Sequence, residues 1–230
     1  MPSPLSSGFL LIDKPRGITS HDAVDHVRRT LGIRQVGHAG TLDPMATGLL
    51  IVGVGAATKK LGNLLGLPKT YEAEITLGAT STTDDAEGTI AKRSEGSPPT
   101  RDEVERALRS CIGTMEQLPP AYSAIKVRGV PAHRRMRRGE SVTLRSRLIT
   151  IHTADLLSYD YPVLRIRCDV SSGTYIRALA RDIGEKLGCG GYLSALRRTA
   201  IGPFLLQDAV SLSALGAGHL RPSLDLPVQS

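Results

Sequence analysis

Tyr71-Glu72-Ala73-Glu74-Ile75-Thr76-Leu77 (YEAEITL, residues 71–77) alternates apolar and polar side chains without a break. Successive side chains of a strand point to opposite faces, so the pattern predicts a strand with one face in a core and the other toward water. Residues 164–170 repeat it, with Leu164, Ile166, Cys168 and Val170 alternating with Arg165, Arg167 and Asp169. One-sided strands of this kind favour antiparallel pairing. The aliphatic run from Gly48 to Val54 suits a strand buried on both faces, and Phe9 to Ile12 reads as another strand. Helices are expected between them. Ser20 is placed to N-cap a helix that presents Val24, Val27 and Leu31 on one face, with Gly32 closing it in the left-handed conformation. Thr100 and Glu103 form a capping box ahead of Val104, Leu108 and either Cys111 or Ile112, with Gly113 as the stop. Ile176, Leu179, Ala180, Ile183 and Leu187 follow helical spacing. The expected class is therefore α/β, with helices around a mixed sheet.

The 230 residues exceed the roughly 100–200 of a typical domain, yet α/β chains of this size stay undivided, and one large domain is expected. With 40% hydrophobic residues but only two Phe, six Tyr and no Trp, the core must be aliphatic. No basic region precedes the apolar N-terminal residues, and no apolar run approaches the ~18 residues needed to span a bilayer, so a soluble, cytoplasmic protein is expected. Cys111, Cys168 and Cys189 form no C-x-x-C pair, which argues against a disulfide framework or zinc site. The six histidines show no metal-ligand spacing. Gly53–Lys59 and Gly62–Thr70 lack the Gly-Lys-Ser/Thr ending of a phosphate loop. Neither a metal nor a nucleotide cofactor is therefore expected.

The formal charge of +7 has a single source. Between Lys126 and Arg147 lie eight basic residues (Lys126, Arg128, Arg134, Arg135, Arg137, Arg138, Arg145, Arg147) and one acid, Glu140; outside this segment 21 basic residues balance 21 acidic ones. Such concentration fits a surface that meets a polyphosphate, or else a solvated charged face. Residues 95–100 read as a loop and residues 216–230 as a tail.

The stretch Gly37-His38-Ala39-Gly40-Thr41-Leu42-Asp43-Pro44-Met45-Ala46-Thr47-Gly48 is a Gly-rich loop running into the aliphatic strand. Its only carboxylate, Asp43, suits a nucleophile or base, or else an N-cap with Pro44 at the first helical position. Arg177 is expected in the first turn of a helix capped by Thr174. There the helix dipole disfavours a cation, which points to a carboxylate or phosphate partner, or else to an exposed arginine with no role. It should share a face with Arg181, away from the core. Tyr71 and Tyr175 are scarce aromatics beside basic residues, able to stack on a base or else, Tyr175 above all, simply to pack in the sheet.

These residues, with Asp13-Lys14-Pro15-Arg16-Gly17, Lys69-Thr70-Tyr71, Thr83-Asp84-Asp85-Ala86-Glu87-Gly88, PPAYSAIK at 119–126, Gly173-Thr174-Tyr175-Ile176-Arg177 and Leu196-Arg197-Arg198, give the chain its affinity. The sequence resembles the TruB-type tRNA pseudouridine synthases of bacteria along nearly its whole length. That resemblance implies a bent, mainly antiparallel central sheet flanked by helices, with a central active-site cleft. It also implies cofactor-free isomerisation of uridine 55 in the T loop of tRNA by a monomer with no obligatory protein partner. By matching position, Asp43 would be the nucleophile, Tyr71 would stack on the flipped-out base, and Arg177 would partner the Asp43 carboxylate. His38, Leu196, Tyr175, Lys14, Arg135 and Arg138 would contact the substrate. Residues 1–215 would form the catalytic domain, with a basic RNA-clamping insertion at about 122–150, and 216–230 a tail leaving no residues for the family's usual C-terminal PUA domain. His133 departs from a common tyrosine. The alternatives are a non-catalytic tRNA chaperone and a guide-RNA-dependent synthase subunit.

Overall fold

The structure, a computed structural model, describes residues 7–93, 97–123, 125–127, 129–136, 138–140 and 142–224, without the side chains of residues 126, 127, 131, 133 and 134. Arg128, Arg137, the side chains of Lys126, His133 and Arg134, the first residues of the 95–100 loop and residues 225–230 of the expected 216–230 tail lie outside the described residues. Arg221, within that tail, exchanges backbone hydrogen bonds with Phe9. Contacts divide the chain into two compact units, Met1–Tyr71 with Leu196–Ser230, and Glu72–Ala195.

In the first unit, β1 (Gly8–Lys14) is followed by α1 (Ser20–Leu31), β2 (Val36–Ala39), β3 (Thr47–Val54), a 3₁₀ turn at Gly55–Lys60, α2 (Gly62–Leu65) and the start of β4 (Lys69–Leu77). The second unit holds the rest of β4, then β5 (Ala79–Ser81), β6 (Ile90–Lys92), α3 (Arg101–Arg109), β7 (Gly113–Gln117), β8 (Lys126–Val127), β9 (Val130–Pro131), α4 (Ala132–Met136), β10 (Arg147–Asp160), β11 (Val163–Val170) and α5 (Ile176–Lys186). Along β12 (Gly191–Ile201) the chain re-enters the first unit, which adds β13 (Phe204–Leu205) and β14 (Val210–Ser211).

β1 and β3 pair antiparallel from Gly8↔Val54 to Lys14↔Gly48. Their period of two distributes one aliphatic run over two layers. Phe9, Leu11, Leu49 and Ile51 pack with Leu61, Leu64, Ile201 and Phe204. Leu10, Ile12, Leu50, Val52 and Val54 pack with Val24 and Val27 of α1. β2 lies antiparallel on β3, and β12 lies parallel to it at Arg197↔Thr47 and Arg198↔Gly48. In the second unit, β10 pairs antiparallel with both β7 and β11. The architecture is thus a mixed, mainly antiparallel sheet with helices, as expected.

Local signals are mostly obeyed, with instructive exceptions. Thr100 and Glu103 form the expected capping box, but α3 ends at Arg109, and Gly113 (φ 116°) instead opens β7. Cys111 is the buried alternative, whereas Ile112 is 47% exposed. Thr19, not Ser20, caps α1: its hydroxyl accepts from Asp22 N at 3.0 Å while the Asp22 carboxylate takes Thr19 N at 2.8 Å. Tyr175 occupies the N-cap position of α5 without a side-chain cap bond, and the Thr174 hydroxyl instead donates to Ser171 O at 2.9 Å.

Gly48 adopts φ 102°, and a Cβ there would lie 2.3 Å from Arg198 O on the neighbouring strand. Gly48→Ala should therefore lower the unfolding free energy by more than about 2 kcal/mol, since it adds a backbone clash to a strained φ. Thr100→Ala, which removes only a cap, should cost about 1 kcal/mol. Urea denaturation of the two variants beside the wild type checks the ranking.

Candidate active site

Asp43 opens a β-turn: its carbonyl accepts from Ala46 N at 3.0 Å, Pro44 occupies the second position, and β3 begins directly afterwards at Thr47. No helix follows, so the N-cap reading of Asp43 and Pro44 is set aside. Proline pre-sets the backbone angle that this turn position needs. The half-buried Asp43 sits between Leu42 and the buried Met45 and Ala46.

Several side chains strap this turn down. Ser20 Oγ donates to Leu42 O at 3.1 Å and accepts from Leu42 N at 2.8 Å. Lys14 has 0% exposure, and its ammonium donates to Pro15 O at 2.9 Å, Ile18 O at 2.7 Å and Pro44 O at 3.5 Å. Arg198, 1% exposed, reaches from β12 to donate to Leu49 O at 2.7 Å and Gly40 O at 3.1 Å. Carbonyl oxygens thus solvate two buried cations, and each cation in return fixes backbone near Asp43. Lys14, expected among the substrate contacts, lies buried beneath the turn.

His38 lies on β2 opposite Val52. Burial, reinforced by the nearby positive charges of Arg198 and His21, holds its pKa below the ordinary histidine value and keeps it neutral at pH 7. Its buried Nδ1 has no hydrogen-bond partner among the described residues. Tyr71 on β4 is 8% exposed, and Leu196 on β12 is half-buried, its carbonyl accepting from Thr47 Oγ1 at 3.4 Å. The neighbouring Arg197 forks onto Asp13 at 2.8 and 3.3 Å.

In the second unit, Arg177 is buried rather than on an exposed face. It pairs with Asp85 at 3.0 Å and donates to Thr83 O and Tyr122 O at 3.1 Å each. Asp85 is 2% exposed, and its other oxygen accepts from Thr83 Oγ1 at 2.5 Å and Glu87 N at 3.0 Å. One helical turn on, Arg181 meets Asp84 at 2.9 Å and Asp182 at 2.8 Å. Burial raises the Asp84 pKa against the lowering effect of Arg181 and Arg177. Two adjacent acids in a loop therefore meet two arginines four residues apart on α5. Asp85 is the site residue that the sequence reading missed, although it lies within a motif quoted there. Tyr175 has its ring under the guanidinium of Arg147, 4.7 Å away. Arg135 pairs with Glu140 at 3.5 Å, and Arg138 is exposed.

The family model described as TruB family pseudouridylate synthase (N terminal domain) matches residues 28–176. The chain belongs to this family. A second model, the tRNA pseudouridylate synthase B C-terminal domain, matches residues 177–223. TruB relatives include a protein of Thermobifida fusca, 48% identical over 223 residues, covering 93% of this chain and 75% of that one. A protein of Corynebacterium efficiens is 47% identical over 225 residues, covering 96% and 75%. Both carry the name tRNA pseudouridine synthase B. Among solved structures, a chain in "Crystal Structure of a Cbf5-Nop10-Gar1 Complex" aligns with TM-score 0.72 and 29% identity over 91% of this chain. One in "Structure of H/ACA RNP bound to a substrate RNA containing 2'-deoxyuridine" aligns with TM-score 0.68 and 28% identity over 90%. This chain spans about half the length of those two, 54% and 51%. As a pseudouridylate synthase, the TruB-family protein is an isomerase. Among its described residues no helix is long and apolar enough to cross a membrane, and no group of three or more His, Cys, Asp or Glu could hold a metal ion.

Lys69, 7% exposed, donates to Leu65 O at 2.7 Å and Leu67 O at 2.6 Å. Burial, then the charge of Arg198, pushes its pKa from 10.5 down to about 8. As pH rises, the folded chain loses this proton before the unfolded chain does. The group's contribution to stability is therefore greatest above 10.5 and is lost as pH falls toward 8. Between pH 8 and 9.5 the stability of the wild type relative to Lys69→Met should rise by about 1 kcal/mol per pH unit, a slope that denaturant titrations at each pH would reveal.

Proposed function

We propose that this isomerase converts uridine 55 in the T loop of tRNA into pseudouridine, with Asp43 as the nucleophile acting on a flipped-out base. The observation that carries the reading is the Asp43 turn: one carboxylate, half-buried, on a backbone pinned by Ser20, Lys14 and Arg198. The names of the relatives from Thermobifida and Corynebacterium supply the tRNA. Pseudouridine formation breaks the N1–C1′ bond, turns the uracil and rejoins it through C5, which gives up its proton. The carboxylate attacks ribose C1′ or uracil C6, or first removes a sugar proton. A base inside a stacked helix is out of reach, so the target must leave the stack.

Tyr71 would stack on the base and relay the C5 proton, with Leu196, Tyr175 and the neutral His38 as further contacts. The role of Arg177, keeping the reacting carboxylate ionised and aimed, calls for a guanidinium that does not wander. Asp85 and the carbonyls of Thr83 and Tyr122 supply that restraint. The basic segment, with Arg135 and Arg138, would clamp the T arm. Identity of 47–48% to proteins named as tRNA enzymes, against 28–29% to chains solved in an H/ACA RNP and a Cbf5-Nop10-Gar1 complex, favours a monomer that works without guide RNA or partner.

Tritium release from a T-arm stem-loop carrying C5-tritiated uridine tests this, with no metal, nucleotide or guide RNA added. Wild type should release tritium, and Asp43→Asn should release it at least about a thousandfold more slowly while still binding the stem-loop. A folded wild type that binds without release would point to a chaperone. Near-normal turnover by Asp43→Asn would reduce that residue to a turn former.

A further inference from the structure

Most buried or half-buried arginines in this chain have evident partners. Arg177, Arg181 and Arg197 each meet a carboxylate, and Arg198 is solvated by carbonyls. Arg147 differs. Its Nε and Nη2 are buried and have no hydrogen-bond partner among the described residues, although the residue as a whole is half-buried. Leaving a buried donor unsatisfied costs about 1–3 kcal/mol, and more for a charged group, so two on one guanidinium call for an explanation.

The surroundings show that this guanidinium is held in place. Its central carbon lies 4.7 Å from the centre of the Tyr175 ring, an arrangement that fixes the plane of the cation. The Tyr175 backbone is gripped in turn by Gln117, which is 1% exposed: its Nε2 donates to Tyr175 O at 3.1 Å and its Oε1 accepts from Tyr175 N at 2.9 Å. Arg147 and Gln117 are cross-strand partners on β10 and β7, so one rung of the sheet positions both side chains on the same tyrosine. Beside the cation is Gly173 (φ 85°), where a Cβ would lie 3.4 Å from Nη1, so the backbone passes close to the guanidinium.

We propose that Arg147, stacked on Tyr175, grips a phosphodiester of the RNA strand next to the target uridine, its Nε–Nη2 edge coming out of cover as the strand seats, and thereby positions the substrate. The two non-bridging oxygens of a phosphodiester match two parallel N–H donors in one plane, a fit that lysine cannot reproduce. Arg147 also ends the basic segment that carries the chain's whole charge excess, so a polyanion is the ligand that this edge would meet. The assignment rests on the reading of the chain as an enzyme acting on RNA.

The test is binding of the unlabelled stem-loop by wild type, Arg147→Met and Arg147→Lys across a range of KCl concentrations. Arg147→Met should bind about tenfold more weakly, and its plot of log Kd against log salt should be shallower by about 0.7–0.9. Arg147→Lys should keep the wild-type slope yet remain weaker, because it restores the charge and not the fork. A scan of neutral methylphosphonate linkages through the T loop then separates contact from fold. One linkage should weaken wild type about tenfold and leave Arg147→Met unchanged. If every linkage affects both proteins equally, the proposal is overturned, even where Arg147→Met binds poorly, because a purely structural loss would be additive. Unchanged affinity and slope in Arg147→Met overturn it as well. Wild type that shows the coupled linkage but releases no tritium would sink the isomerase reading and leave the phosphate contact standing. Release of tritium with an additive scan would do the reverse.

Discussion

Position 48 leaves no room for a side chain, because β12 runs so close that even a methyl group would meet the backbone of Arg198. That approach sets the rest of the first unit in order. With β12 parallel to β3 at this point, Arg198 can project its guanidinium onto the carbonyls of Leu49 and Gly40. Those two carbonyls bracket the segment that holds Asp43. Lys14 and Ser20 secure it from the other side through Pro44 and Leu42. A reactive carboxylate is useful only where its backbone stays still, and here that rigidity comes from cations spent on peptide oxygens.

The second unit solves a related problem with acids. Arg177 and Arg181, one turn apart on α5, would be costly to bury alone; Asp85 and Asp84 from a single loop meet them. A buried pair of this kind adds little net stability but leaves few alternative geometries. The consecutive acids, one of them held at φ 61°, therefore serve orientation more than strength.

How much of this was legible beforehand depended on the range of the interaction. Alternation in β4 and β11, the strand β1, the two-faced burial of β3, and the Thr100–Glu103 box are encoded within a few residues, and all could be read directly. Ser20 reads as the cap of α1 because its hydroxyl precedes the apolar face, but Thr19 takes that place; the choice is made by Leu42, which claims Ser20 from 22 residues away. The burial of Arg177 and its pairing with Asp85, the interior placement of Lys14, and the reach of Arg198 to Gly40 depend on contacts between distant parts of the chain, which no local period announces. Family resemblance pointed to the segments where those contacts occur without supplying the contacts themselves.

The interior ammonium of Lys14 has one more consequence. An amine with 0% exposure, committed to the carbonyls of Pro15, Ile18 and Pro44, is inaccessible to an acylating reagent while the turn is seated. Its labelling would proceed only during excursions that lift the turn from its bed, at a rate set by their frequency. Lys14 is thus a native chemical clock for local opening around Asp43, readable by mass spectrometry without any engineered probe.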